Sequence, residues 1–358
     1  MKVCILGNSL TALTLAKTLI NLQINVEVLY SKKNLENNKT RTIGISKSNI
    51  DFFNEKIIKI NPLLWKLKKI EIFSDNLVGE SLIDFEKNNE QIFSIIQNHK
   101  LYKILKNDLS KNKLYNSKIF NIKNLLFIKN YDLIINCDPF NLITKKYFSK
   151  KIIKKYNSYA HTTIIKHEKV INDIAIQIFT KEGPLAFLPI SNNETSIVFS
   201  IQKSKEKKIN IEQLIQDKNF RYKIKSINKI RSFNLHSLNL RSYHHNNILA
   251  FGDLLHKVHP LAGQGFNMII RDIKILSKII KNRIDLGLPF DSSINTEFEN
   301  NAKHKNLIFS NGVDLIYEFF NFERKIKSNF LSKSVKKINK YSLINKIFTK
   351  IADRGIFF

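Results

Sequence analysis

Residues 248–267 read Ile-Leu-Ala-Phe-Gly-Asp-Leu-Leu-His-Lys-Val-His-Pro-Leu-Ala-Gly-Gln-Gly-Phe-Asn. Their types and spacing suit the holding of a large polar ligand. Gly252 lets backbone come close to a bound molecule. The carboxylate of Asp253 can accept from a ribose hydroxyl. Pro260 leads into Gly263-Gln264-Gly265, where a helix opens. Backbone N–H groups at a helix N-terminus suit a developing negative charge. Phe266 lies in the same turn, and the Asn267 side chain is expected to add a polar contact there.

A second constellation lies at the start of the chain. Gly7-Asn8-Ser9-Leu10-Thr11-Ala12 sits between an apolar run and a helical pattern. A dinucleotide fingerprint there needs a tight turn, close backbone approach to pyrophosphate and close helix–strand packing. Gly7 can make the turn, Ser9 is small, and Ala12 is an accepted third position. An ordinary strand-to-helix turn remains open for these six residues. At the end of the next strand, Tyr30 or Ser31 stands where a ribose-binding carboxylate is usual, and Glu27 comes too early. His256 and His259 are three apart, but no Cys or carboxylate at ligand spacing completes a metal site, so no metal is expected. They read instead as loop histidines packing near the ligand.

The elements that must position these residues follow from periodicity. Lys2–Leu6 reads as a buried strand, Leu13, Ala16, Leu19 and Ile20 as one helix face, and Asn25–Tyr30 as an alternating strand. This strand–turn–helix–strand unit places ligands at its strand ends. Residues 31–40 read as a loop, and Thr42–Phe53 as a loop entering a helix. Ile70–Phe73, Ser81–Phe85, Leu125–Phe127 and Tyr131–Cys137 are candidate strands, and Ile92–Leu105 is helical in its second half. Thr162–Lys166, Ile174–Phe179, Ala186–Pro189 and Thr195–Ile201 are spaced like antiparallel strands, with a turn at Gly183-Pro184. Ile211–Ile227 reads as helix, Ile248–Phe251 as strand and Gly265–Lys281 as helix. A basic helical tail is expected from about Phe309 onward.

Composition narrows the class. A chain of 358 residues with 43% hydrophobic residues can build a proper core. Cys4 and Cys137 are the two cysteines and read as inert core residues; two cannot make a disulfide framework, which fits a reducing cytoplasm. The first residues do not resemble a signal peptide, and no run is long and apolar enough to span a membrane. The 59 Lys+Arg against 30 Asp+Glu leave a net charge of +29. Most of the cations are Lys spread along the whole chain, as AT-rich coding produces. A nucleic-acid reader concentrates Arg and aromatics in a patch or motif, so no nucleic acid is expected. An anionic lipid surface remains a candidate partner.

The pattern Gly-Asp-x-x-His-x-x-His-Pro-x-Ala-Gly-Gln-Gly-x-Asn closely resembles that of the class A FAD-dependent aromatic hydroxylases, and within them the ubiquinone-biosynthesis hydroxylase family. Other segments match in order. Arg41-Thr-Ile-Gly-Ile-Ser46, followed by Ser48, resembles the family's Arg-Thr-x-Ala-Leu-Ser stretch, whose Arg reaches the cofactor. Gly183–Pro189 resembles the Gly-Pro-Leu-Ala-x-Leu-Pro stretch of the substrate layer, which places Leu188 and Pro189, with Pro260, on the substrate side. Leu133–Asp138 resembles the strand ending Ala-Asp-Gly, and Arg271-Asp272 the Arg-Asp after the glycine loop. The chain departs from the pattern at Ser9, at Tyr30, and at Asp138-Pro139, where the family has Asp-Gly.

The resemblance implies an α/β fold: a Rossmann-like FAD-binding domain with a parallel sheet (residues 1–70, 100–140 and 235–295), interleaved with a mostly antiparallel substrate domain (71–99 and 141–234) and a helical C-terminal region (296–358). It implies FAD held by Gly7, Ser9, Leu10, Ala12, Arg41, Gly252, Asp253 and the residues Gly263 to Asn267. It further implies NAD(P)H as reductant and O2 as oxidant. A flavin C4a-hydroperoxide would then hydroxylate a lipophilic, polyprenylated phenol. No side chain is assigned as acid or base, because the phenol is already activated. The cytoplasm is the expected location, with peripheral contact to the inner membrane surface or a quinone-synthesis complex. That contact would run through the tail, where Phe322, Ile326 and Phe330, then Ile344, Phe348 and Ile351, recur among lysines. The departures keep a second class open: a catalytically degenerate relative acting as an assembly partner in quinone synthesis. A basic nucleic-acid binder is the more distant alternative.

Overall fold

Val3, Cys4, Ile5 and Leu6 are all buried, so the strand they form, β1 (Lys2–Leu6), is covered on both faces. That is the signature of a central parallel strand. The computed structural model, which describes residues 1–31, 39–75, 77–86, 93–122, 126–206 and 209–326, places it so. β1 pairs in parallel with β2 (Asn25–Tyr30) on one side and β9 (Leu133–Asn136) on the other. β8 (Tyr115–Ile119) extends the sheet beyond β2, and β17 (Ile248–Ala250) beyond β9, both in parallel. The short antiparallel β16 (His244–His245) closes that edge. α1 (Leu10–Asn21) follows β1 directly and packs against α3 (Asn98–Leu109) and α7 (Gln264–Asp285). The C-terminal ends of β1, β2, β9 and β17 therefore share one edge of the sheet, where open α/β sheets bind ligands.

A second sheet runs in the order β18–β15–β10–β13–β12–β11–β5–β6. Its strands are β5 (Lys69–Ser74), β6 (Leu77–Glu86), β10 (Lys151–His167), β11 (Ile174–Phe179), β12 (Pro184–Pro189), β13 (Glu194–Gln202), β15 (Arg231–Leu240) and β18 (His256–Lys257), with β14 (Ile224–Ile227) alongside β10. All its pairings are antiparallel except β11 with β5. The short helices α4 (Leu142–Tyr147) and α5 (Lys203–Glu206) follow β9 and β13. Between the two sheets lies a small antiparallel sheet of β3 (Thr42–Ser46), β7 (Phe93–Gln97) and β4 (Trp65–Leu67). Thr42 Oγ1 donates to Ser196 Oγ at 3.0 Å and ties β3 to β13. Parallel sheet, antiparallel sheet and C-terminal helices are the architecture expected from sequence. Among the described residues no helix is long and apolar enough to cross a membrane.

Several local expectations are corrected. Thr42–Ser46 is a strand before the short helix α2 (Lys47–Phe52), not a loop; β7 supplies the pairing its sequence does not show. Leu126–Asn130 is 3₁₀ helix rather than strand. Ile211–Ile227 splits into α6 (Ile211–Lys218) and β14, because the Asn219 side chain accepts from the N–H groups of Arg221 and Tyr222 and turns the chain. The C-terminal helix α8 (Ser292–Ile326) begins well before Phe309, and its inner face buries Ile294, Phe298, Ala302, Phe309 and Val313. The tail from 327 to 358, with Phe330, Ile344, Phe348 and Ile351, lies outside the described residues.

Candidate cofactor site

The site is built from four turns at the shared sheet edge. After β1, Gly7 takes φ +109°, a conformation side chains rarely adopt. A Cβ there would also sit 3.4 Å from Asp138, so the turn after β1 and the turn after β9 touch. Ser9 caps α1 by accepting from the Ala12 N–H, which leaves the first N–H groups of the helix, including that of Leu10, pointing at the edge. After β17, Gly252 takes φ +67°, and a Cβ on it would come within 2.7 Å of the Thr11 methyl. Gly252 is thus required by the closeness of α1. Asp253 is exposed and has no hydrogen bond or ion pair among the described residues. An unpaired carboxylate in so basic a chain is an acceptor available to a ligand.

The fourth turn opens α7. Gly263 is its N-cap, at φ +63°, with no side-chain cap for the first N–H groups. A Cβ on Gly263 would press to 3.3 Å from the Gly44 backbone on β3, whereas one on Gly265 would meet nothing within 4 Å. Gly265 therefore borders open space with free N–H donors around it. Phe266 is half-buried against the core of the parallel sheet. Gln264 is buried and accepts from Arg271 at 3.4 Å. Arg41 is exposed at the start of β3, and its backbone oxygen accepts from the Asn98 N–H of α3. Tyr102 on the same helix has its hydroxyl buried beside the Asn8 side chain. These features fit a dinucleotide: glycines where backbone must approach, N–H groups at uncapped helix starts and a free carboxylate.

The remaining expected residues lie as follows. Asn267 is fully buried, and its side chain has no bonding capacity left for a ligand. Its Oδ1 accepts from Ser46 N–H (3.0 Å) and Asn49 Nδ2 (2.9 Å), and its Nδ2 donates to Gly44 O (3.1 Å) and Gly263 O (3.4 Å). The expected polar contact to the ligand is corrected to a staple between β3 and the glycine loop. Leu188 packs against the cluster of Leu67, Phe93, Ile95 and Ala175, opposite Ser196, while Pro189 is buried in the same strand; Pro260 is half-buried. The loop after β9 uses its own donors: Asp138 N–H to Asn136 Oδ1, and Phe140 N–H to Asp138 Oδ1, while Pro139 has none. Its N–H groups are closed to a phosphate, and the Phe140 ring beside it is 74% exposed.

The remaining titratable groups are structural. His256 and Asp272 form a buried pair at 2.5 Å, with Asn306 donating to the other carboxylate oxygen. His259 lies between the rings of Tyr156 and Tyr317, and burial holds its pKa down at about 3. Burial pushes both cysteine thiols well up, as for inert core groups. Burial pushes Glu27 up, but hydrogen bonds from Lys118, Tyr131 and Lys2 outweigh it and hold the carboxyl at about 2. Sequence reasoning did not single out Thr11, Gly44 or Asn49. Gly44 carried a signal, since a glycine inside a strand marks close backbone approach; Asn49 carried none.

Comparison with known proteins bears on the cofactor and the fold. Residues 161–285 match the family model described as an FAD binding domain. The 3-demethoxyubiquinol 3-hydroxylase of Escherichia coli is 29% identical over 156 residues, which is 41% of this chain and 40% of that protein. The match thus spans well under two thirds of that relative's length. Among solved structures, p-nitrophenol 4-monooxygenase PnpA from Pseudomonas putida superposes with a TM-score of 0.78 at 10% identity, covering 98% of this chain and 97% of that one. HpxO of Klebsiella pneumoniae, complexed with FAD and uric acid, gives 0.74 at 10% identity, covering 98% and 96%. By its match to an FAD binding domain and by its fold, the chain is similar to FAD-binding class A flavoprotein monooxygenases, with ubiquinone-biosynthesis hydroxylases among its distant relatives.

Proposed function

We propose that the chain hydroxylates the aromatic ring of a lipophilic, polyprenyl phenol in ubiquinone biosynthesis, using FAD, NAD(P)H and O2. The observation that carries this reading is the open space at Gly265, at the start of a helix whose first N–H groups have no side-chain cap. Bound FAD supplies the redox and oxygen chemistry. The chain's residues bind and orient. The N–H groups of the α1 first turn, around Ser9 and Leu10, face the pyrophosphate, with Gly7 and Ala12 allowing close approach. Asp253 accepts from a hydroxyl of the cofactor, and Arg41 reaches it from β3. The N–H groups of Gly263 to Phe266 stabilise negative charge on the ring system. The phenol lies on the side of Pro260, Leu188 and Pro189, where apolar packing excludes water. On this reading residues 1–70, 100–140 and 235–295 form the cofactor domain, 71–99 and 141–234 the substrate domain, and 296–358 the C-terminal region.

A cytoplasmic protein with peripheral contact to an anionic membrane or a quinone-synthesis complex is the matching location. The outer face of α8 supports it: Ile308, Leu315 and Phe322 are 41%, 71% and 57% exposed at seven-residue spacing, and a Lys-rich tail follows. The test is the visible spectrum of the purified protein with added FAD, then NAD(P)H oxidation and product mass with a prenylphenol. No flavin absorbance overturns the reading. Flavin without hydroxylated product favours a second one, a degenerate assembly partner. The self-bonded Asp138-Pro139-Phe140 turn, with its N–H groups withdrawn from phosphate, is the observation on that side.

A further inference from the structure

We propose that Asn49 is a positioning residue for the flavin loop. It decides which way round the Asn267 amide sits, and through that amide where the Gly263–Gly265 backbone lies. Asn49 is 2% exposed on α2 and has no place in the cofactor contacts above. Its Nδ2 donates to Asn267 Oδ1 at 2.9 Å and to the Asn267 backbone oxygen at 3.4 Å. An amide side chain is almost symmetric in shape, so only its hydrogen-bond partners set its orientation. Around Asn267 those partners divide cleanly. Two donors, Ser46 N–H and Asn49 Nδ2, face one end. Two acceptors, Gly44 O and Gly263 O, face the other.

The division is what closes the loop. With the donors in place, the Nδ2 of Asn267 pulls Gly263 and Gly44 onto one group, and their backbones come into contact. With the donor at position 49 replaced by an acceptor, the Asn267 amide is driven to rotate. Its oxygen would then face two carbonyl oxygens, and the loop would open by repulsion. Because the node is buried, such a mismatch is not relieved by water. The inference rests on FAD lying at this loop, but the behaviour of the loop can be measured without FAD.

The decisive variant is Asn49→Asp, nearly isosteric but with the polarity inverted; Asn49→Leu removes the donor without adding an acceptor. Of the charged side chains of α2 and of the turns of α7 beside Asn267, Lys47, Asp51 and Lys274 are exposed, while Arg271 is buried with a bond to Gln264 and Asp272 is buried in its pair with His256. Hydrogen exchange of the peptide containing Gly263–Asn267 is compared with wild type in the apo protein, and FAD affinity is read from fluorescence quenching. Asn49→Asp is expected to lose protection in that peptide with the rest of the chain unchanged, and to bind FAD at least tenfold more weakly at about pH 8. The gap should narrow at about pH 5, where a buried carboxyl regains its proton and can donate again. Asn49→Leu should show a smaller, pH-independent loss. Unchanged protection in Asn49→Asp, or equal effects of Asp and Leu at every pH, would overturn the proposal. If wild type itself bound no FAD, the cofactor reading would fall while the exchange result still judged Asn49.

Discussion

Gly265 gives a prediction in which stability and binding move in opposite directions. It sits in the first turn of α7 with ordinary backbone angles, and a Cβ added there meets nothing within 4 Å. In the apo protein Gly265→Ala should therefore be stabilising, by about 0.5–1 kcal/mol, because alanine loses less entropy than glycine in a helix. The open space is the volume assigned to the flavin, so the new methyl must push the ring system off the backbone N–H groups. Losing one hydrogen bond to a charged group costs about 2 kcal/mol, or roughly thirtyfold in Kd. Gly265→Val enlarges the obstruction and should abolish binding. Urea unfolding of the apo protein reads the first effect and flavin fluorescence titration the second. If Gly265→Ala keeps wild-type FAD affinity within about twofold, the flavin does not lie against this turn. If the variant is destabilised, the turn is more closely packed than the structure shows.

Three further outcomes follow from named contacts. Gly252→Ala forces φ +67° on a side chain and brings Cβ to 2.7 Å from the Thr11 methyl. It should cost about 2–4 kcal/mol, part of which Thr11→Ser recovers by removing that methyl; unfolding free energies without such recovery would locate the strain elsewhere. Asp253→Ala should lower the flavin-to-protein ratio after gel filtration while the melting temperature of the apo protein stays put, since Asp253 has no protein partner among the described residues; an unchanged ratio would remove Asp253 from the site. His259, held at about 3 by burial, stays neutral in the fold, while the unfolded chain takes up its proton below about 6.5. Its contribution is present above that pH and is lost as pH falls toward 3. Relative to pH 7, the wild type should lose about 2 kcal/mol more than His259→Phe by pH 5, read from unfolding curves at the two values; parallel losses would show that His259 is not buried as described.

The local physics of the glycine turns is legible in the amino-acid sequence alone. A strand, a Gly-Asp pair and a Pro-to-Gly loop opening a helix form one contiguous string, and backbone freedom at Gly252 and Gly263 is written in residue type. The continuous apolar run Val3–Leu6 announces a strand buried on both faces in the same way. Strands that depend on a distant partner are not legible. Thr42–Ser46 is a strand because β7 pairs with it, and Ile224–Ile227 because β10 does. The role of Asn267 is hidden for the same reason. Its type and place beside Gly265 suggest a ligand contact, but Ser46, Asn49 and Gly44, more than two hundred residues away, saturate its amide. Proximity between α1 and the turn after β17 likewise decides that Gly252 must lack a Cβ because of Thr11. Backbone conformation is set by neighbours in the chain and can be read from them. The partner of a buried polar group is set by packing across the chain, and only the tertiary structure supplies it.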